Sequence, residues 1–462
     1  GEELERLRAY PELKGLCEKF IDGKEYGSLI EAEDLDCKGD LFEEKTKRVI
    51  IREEFERFVK ECDVFSFYMV EKVRGILKQA GILGRKYDVV VTNPPYMGGK
   101  GMSGKVSEYV KKRFPDSKGD LFACFIERGF ELIENSRFNT IVTMQSWMFL
   151  SSFEKMRLNI LDRNTVVTMV HMANMVLGIA FGTAATVFRS INLPSYRGSY
   201  SYTELKDIND KGEPFEFPVK NERLKVASIE DFSKLPGSPV AYWVSGRMRE
   251  IFEKNTLLKD VAEIKHGLST GKNEAVVRYW FEIKYGEFGR NYVTVKEAHK
   301  SSLKWFPYNK GGDFKKWYGN QIFVLRYDKY GIKLMSTFLG HRHDGKDFYF
   351  KEGITWSFIS SSNFGVRYSP DGFIFDVIGS SLFPEKEQIK YLTAFLCSKL
   401  AFEFLKIINP TMAFQVGNIA SLPIVFPELE ETKSKIDTLA EENISISRTD
   451  WNSFETSWDF RV

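Results

Sequence analysis

Between Tyr87 and Ile191 the chain alternates two textures, and that alternation narrows the fold more than any other feature. Tyr87–Thr92, Thr140–Met144, Val166–His171 and Ala184–Ile191 are short and rich in Val, Ile and Thr, as buried strands are. Between them, about Asp120–Glu134 and Leu150–Leu161 place apolar residues at helical spacing. Asp120 follows Gly119 and suits an N-cap, where a carboxylate accepts from free backbone N–H groups. Strands alternating with helices predict an α/β fold with a doubly wound sheet, Tyr87–Thr92 being one of its buried parallel strands. Sites in such sheets lie beyond the carboxyl ends of the strands. The residues after Thr92 are therefore the first place to look for chemistry.

Those residues are Asn93-Pro94-Pro95-Tyr96. Two prolines after a strand can be mere punctuation. Here the four residue types also suit one task, the handling of an exocyclic aromatic amine. The lone pair of such an amine is delocalised into its ring. Two acceptors aimed at its two N–H bonds favour a more tetrahedral nitrogen and free that pair. Asn93 offers its side-chain carbonyl and Pro94 its backbone carbonyl. Pro94 and Pro95 fix φ, so both acceptors are positioned in advance. Tyr96 offers a flat face for an extruded base.

A second motif overlaps the first. Gly99 to Lys105 fits the spacing of a phosphate-binding loop, but Val106 stands where that loop needs Ser or Thr for magnesium. Asn-Pro-Pro-Tyr also separates it from the strand. The stretch reads instead as a mobile cationic loop beside a base pocket, with Lys100 and Lys105 as candidate phosphate contacts.

Composition excludes some partners. With 462 residues the chain has room for two to three domains. A formal net charge of +2 makes it no blanket polycation, so any nucleic-acid contact must be a local patch. The five cysteines, Cys17, Cys37, Cys62, Cys124 and Cys397, are scattered, which suggests neither zinc nor disulfides and fits a cytoplasmic location. No apolar run is long enough for a membrane span. His341-Arg-His343-Asp344 reads as a polar loop, and no metal is assigned. Residues 1–85 are charged and helical in pattern. A Pro-bearing stretch over 194–240 reads as a loop-rich linker. From 241 the chain is rich in Trp, Tyr, Gly and Lys, with a helix expected over Glu385–Ile408.

Asn-Pro-Pro-Tyr resembles the signature of DNA N6-adenine methyltransferases. The likeness continues through Asp120-Leu-Phe-Ala-Cys-Phe-Ile-Glu127 and Gln145-Ser-Trp-Met-Phe149. It is to long enzymes of the type IIG restriction-modification kind and, more closely, to the PglX-type methyltransferases of BREX phage-defence systems. His266-Gly-Leu-Ser-Thr-Gly-Lys-Asn273, Lys304–Gly312 and Phe414-Gln-Val-Gly-Asn-Ile419 resemble the target-recognition region of the same families. The resemblance implies a partial Rossmann-like methyltransferase sheet (86–193) followed by a mixed α/β target-recognition-like domain (241–427) and the start of a further segment (428–462). It implies Asn93, Pro94 and Tyr96 as catalytic residues, and Pro95 and Phe181 against the flipped base. It also implies double-stranded DNA as partner and S-adenosylmethionine as methyl donor, in a prokaryotic cytoplasm. In the second region Lys272, Asn273, Arg278 and Lys310 are the candidate DNA contacts, by the chemistry of phosphate and base-edge recognition.

One half of the expected machine is missing from the sequence. The family's Gly-rich cofactor turn should follow a strand upstream of Asn93, and residues 1–86 contain none; the acidic stretch Glu31–Asp36 has a loop-like setting. A chain that opens at Gly1 with a helical insert reads as a piece starting after that turn, with the cofactor half supplied by another segment or another chain. The competing reading is a non-catalytic DNA-recognition or assembly subunit of a defence complex.

Overall fold

Six strands build one sheet in the first half of the chain: Tyr87–Thr92 (β1), Ile133–Met144 (β2), Thr165–Met172 (β3), Thr183–Arg189 (β4), Gly198–Thr203 (β5) and Lys225–Ala227 (β6). Their order is β1-β2-β4-β3-β5-β6. β1 and β2 are parallel, with Val91 opposite Thr140 and Thr92 opposite Ile141. β4 is antiparallel to both β2 and β3. β5 is parallel to β3, and β6 closes antiparallel on β5. The carboxyl ends of β1, β2 and β3 therefore share one edge with the start of β4. The computed structural model describes residues 2–32, 35, 47–63, 67–219, 222–359, 363–409 and 413–460. Asp36, Pro410 and the last two residues lie outside them.

The chain divides into two compact units, Gly1–Ser233 with Gly237–Trp243, and Lys234–Pro236 with Val244–Val462. In the first, the helix Leu121–Glu131 starts on Asp120, whose carboxylate accepts from the Phe122 N–H. That helix and the helix Glu154–Arg163 bury Phe122, Ile126, Met156 and Ile160 with Ile141, Val166 and Phe188 of the sheet. Ahead of the sheet, the helices Pro11–Lys19, Lys47–Glu61 and Phe67–Gly84 close a separate core of Leu13, Leu16, Ile51, Phe58, Val70 and Val73.

Two sequence expectations need correction here. β1 is parallel but not buried: among the described residues it hydrogen-bonds to β2 alone, at the edge of the sheet, and Val89 and Val91 on one of its faces are 50% and 75% exposed. Residues 194–240 are not a linker, since β5 and β6 lie within them. Their prolines fall outside β5 and β6, where a missing N–H costs no ladder bond. Tyr200 of β5 is buried and stacks on Tyr242 at 4.8 Å between ring centroids.

The second unit is mixed α/β. One four-stranded sheet orders Ile374–Phe375, Trp305–Asn309, Phe323–Arg326 and Val277–Tyr279; another orders Val366–Ser369, Gly353–Trp356, Ser381–Pro384 and Ala262–Lys265. The helix expected over Glu385–Ile408 is two, Ile389–Cys397 and Lys399–Ile408. Ser398 between them is extended, and its hydroxyl accepts from the Ala401 N–H to start the second. Residues beyond 428 form the helix Glu430–Asn452, which buries Ala440 and Ile444 and packs against Ile389–Cys397.

Candidate functional site

Asn93 lies where β1 ends, at the edge of the sheet shared by the other parallel strands. Pro94 is buried while Asn93 and Pro95 are exposed. Among the described residues no hydrogen bond reaches the Pro94 carbonyl. The Tyr96 hydroxyl donates to Asn93 Oδ1 at 3.2 Å. Burial raises the Tyr96 pKa, so the hydroxyl keeps its proton and remains a donor.

Asp120 fixes this loop. Besides starting its own helix, its carboxylate accepts from the Met97 N–H at 2.8 Å, and the Leu121 N–H donates to the Met97 carbonyl. One carboxylate thus joins a helix start to the residue after Tyr96. Burial raises the Asp120 pKa, and the backbone N–H groups it accepts from act against that rise.

Phe181 closes the other side. Its ring meets Tyr96 edge to face at 5.9 Å between centroids, and Phe122 meets Tyr96 from behind at 6.1 Å. A base sandwiched between two rings needs their planes about 7 Å apart, twice a van der Waals contact. The observed pair is closed, and one ring must swing aside to admit a base.

Against Gly182, the residue after Phe181, lies a largely buried polar relay that the sequence reading missed. A Cβ on Gly182 would lie 2.5 Å from the Gln145 side-chain amide carbon, so the amide lies flat against the glycine. Gln145 Oε1 is 2.6 Å from His171 Nε2, and His171 Nδ1 is 2.9 Å from the Tyr242 hydroxyl. Burial pushes the His171 pKa down to about 4, so the ring is neutral near pH 7. A neutral ring has one N–H, and Gln145 Oε1 can only accept, so Nε2 carries the proton and Tyr242 donates to Nδ1. Gln145 at the end of β2 was the only signal available in the sequence. Arg157, also buried, donates to the carbonyls of Trp147, Leu150 and Gly237 and holds the turn after Gln145.

The loop Gly99–Lys105 is tethered at both ends. Ser103 caps the helix Gly104–Arg113, and Gly98 bridges to Asp120. The Lys105 ammonium is 2.6 Å from Asp22, and the Ser103 hydroxyl donates to Glu25. The Asp22 carboxylate raises the Lys105 pKa, so that charge is held by the protein itself. Lys100 stays exposed.

In the second unit the expected DNA contacts are not equivalent. Lys310 lies 3.2 Å from the buried Asp376, which also accepts from the Tyr308 hydroxyl at 2.6 Å. Arg278 folds back onto the carbonyls of Glu274 and Val277. Asn273 accepts from the Thr270 hydroxyl, and Lys272 faces Glu274 at 3.9 Å. Lys272 and Asn273 are exposed, whereas Lys310 is mostly covered.

With this geometry in place, the comparisons are specific. The Eco57I restriction-modification methylase family matches residues 10–176, which contain Asn93–Tyr96 and the Asp120 helix. The adenine-specific methyltransferase BrxX of Escherichia coli O9:H4 (strain HS) is 35% identical over 447 residues, 96% of this chain. The chain is a relative of adenine-specific methyltransferases. A second one, PglX of Lacticaseibacillus casei (strain Zhang), is 33% identical over 465 residues, again 96% of this chain. The chain spans only 35% and 37% of these two relatives' lengths. In fold it is similar to the type IIL restriction-modification enzyme MmeI, solved in complex with DNA, with a TM-score of 0.51, 10% identity and coverage of 80% of this chain and 50% of that one. No helix among the described residues is long and apolar enough to cross a membrane.

Proposed function

We propose that this chain supplies the base-handling and target-recognition parts of a site-specific DNA adenine-N6 methyltransferase acting in phage defence, of the BREX or restriction-modification kind. The observation that carries the reading is the Asn93–Tyr96 turn at the end of β1, with a Pro94 carbonyl that no hydrogen bond reaches among the described residues, Asn93 Oδ1 close by, and the Tyr96 and Phe181 rings meeting edge to face. An adenine turned out of the duplex would displace the Tyr96 hydroxyl from Asn93. Its N6 hydrogens would then meet Asn93 Oδ1 and the Pro94 carbonyl, leaving the nitrogen lone pair directed away from both. Tyr96 and Phe181 would hold the ring by its faces. S-adenosylmethionine would supply an electrophilic methyl carbon: the lone pair would form the N–C bond as the S–C bond breaks, the thioether S-adenosylhomocysteine would leave, and the surplus N6 proton would pass to water. Asn93, a neutral amide, cannot take that proton, so its role is orientation and charge placement.

The residues of this chain fit the amine side of the reaction. Before β1 the described residues form helices and loops, with no strand among them to carry a Gly-rich turn. We place the Gly-rich donor turn in a segment outside these 462 residues. The exposed Val89 and Val91 on β1, and the edge of that strand left unpaired among the described residues, support a further strand docking there. The second unit would bind the duplex through its exposed Lys272 and Asn273, and the first unit offers the exposed Lys100 as a separate phosphate contact. Mapping N6-methyladenine in a methylation-free host carrying the native gene tests the reading. A methylated sequence motif supports it, and unmodified DNA contradicts it.

A further inference from the structure

The ten residues joining β3 to β4, Ala173–Gly182, lie at the same edge of the sheet as Asn93. Charged residues make up 28% of the chain, yet none of these ten is charged. The tip is held by its own backbone: the Met175 N–H donates to the Ile179 carbonyl at 2.8 Å, and the Gly178 N–H to the Met175 carbonyl at 2.9 Å. Met175 has φ 69°, a left-handed conformation that costs energy in a residue with a side chain. Val176 points inward and is buried, while Met175 and Leu177 are each 49% exposed. At its far end the same loop carries Phe181, the ring facing Tyr96.

We propose that Met175 and Leu177 form a wedge that enters the duplex base stack as the target adenine leaves it. This rests on the methyltransferase reading above. An extruded base leaves its neighbours without a stacking partner, and proteins that distort duplexes insert apolar side chains such as Met and Leu at such steps. The loop has no cation with which to hold a phosphate, so its exposed surface suits bases and not the sugar-phosphate backbone. The turn hydrogen bonds order the tip before binding, which lowers the ordering cost of insertion. One loop would thus displace the adenine at its tip and receive it at Phe181.

The test uses the full native gene product and a duplex with 2-aminopurine at the position found methylated. 2-Aminopurine brightens when it leaves the stack. The wild-type protein is expected to brighten it. Met175→Ser/Leu177→Ser is expected to lower the flipping equilibrium by about tenfold, because the gap is left unfilled. Met175→Leu/Leu177→Met is expected to behave as wild type. A mismatched base opposite the target, which lowers the cost of extrusion, is expected to restore part of the serine variant's signal. Serine substitutions that flip the base as well as wild type overturn the wedge. So does an apolar swap as damaging as the serine pair, or a serine defect that no mismatch relieves, since that defect would lie in folding or in a protein contact. If the wild-type gene yields no methylated motif, the methyltransferase reading itself falls, and the wedge with it.

Discussion

The hydroxyl of Tyr96 donates to the side-chain oxygen of Asn93 at 3.2 Å, so the protein occupies, with its own donor, the acceptor proposed for the substrate amine. Tyr96→Phe removes that donor and keeps the ring. Turnover is expected to stay within about threefold of wild type, because one weak hydrogen bond is lost on the unoccupied side alone. Tyr96→Ala is expected to lose about tenfold to a hundredfold, the scale of one base–aromatic stack. Single-turnover methylation rates of the two variants check this.

Asp120 joins the Tyr96 loop to the start of a helix. Asp120→Ala is expected to cost about 1–2 kcal/mol in urea unfolding, as loss of an N-cap does. Asp120→Asn keeps one acceptor for the Met97 N–H and should recover much of that.

The relay against Gly182 gives a pH dependence. His171 has its folded pKa depressed to about 4 from an ordinary 6.5, by burial. The unfolded chain therefore binds more protons than the folded one between those values. Stability from this group is fully present above pH 6.5 and is lost as pH falls towards 4, by about 3 kcal/mol at most. His171→Gln is expected to flatten that part of the urea-unfolding profile. Gly182→Ala drives a methyl into the Gln145 amide, and is expected to slow methylation while leaving DNA affinity within about twofold and costing about 1–3 kcal/mol of stability.

The cationic candidates separate by their partners. Lys105→Ala and Lys310→Met are expected to leave the salt dependence of DNA binding unchanged, because Asp22 and Asp376 hold those charges. Lys310→Met should also cost about 1–3 kcal/mol, because Asp376 loses a charged partner. Lys272→Ala is expected to lower the slope of log affinity against log salt by about one. Filter binding across a salt series reads all three.

The strands, the Asp120 cap and the Asn93–Tyr96 turn were legible because each is local: a β-branched run, a carboxylate before a helix, two prolines after a strand. The failures have physical causes as well. The edge position of β1 depends on which strand pairs with it, and Tyr87–Thr92 reads the same with one neighbour or two. The membership of β5 and β6 was hidden by prolines that lie just outside those strands. Lys105 and Lys310 looked like free cations because their carboxylates, Asp22 and Asp376, are 83 and 66 residues away. The Gln145–His171–Tyr242 relay gathers its members from three separate parts of the chain and leaves no spacing to recognise.

The donor side can be tested on this chain alone. Calorimetric titration of residues 1–462 with S-adenosylmethionine is expected to show no micromolar binding. Micromolar affinity would mean that a donor site forms within the chain, and would overturn its placement elsewhere.

The most direct measurement concerns Asn93. The native gene and its Asn93→Ala variant are expressed in a methylation-free host, N6-methyladenine is mapped genome-wide, and both proteins are assayed for DNA binding. The expected result is a methylated motif from the native gene, almost none from the variant, and DNA affinity within about twofold, because the lost group orients the amine and holds no phosphate. Unchanged methylation by the variant would contradict the assignment of Asn93 and, with it, the account of the site.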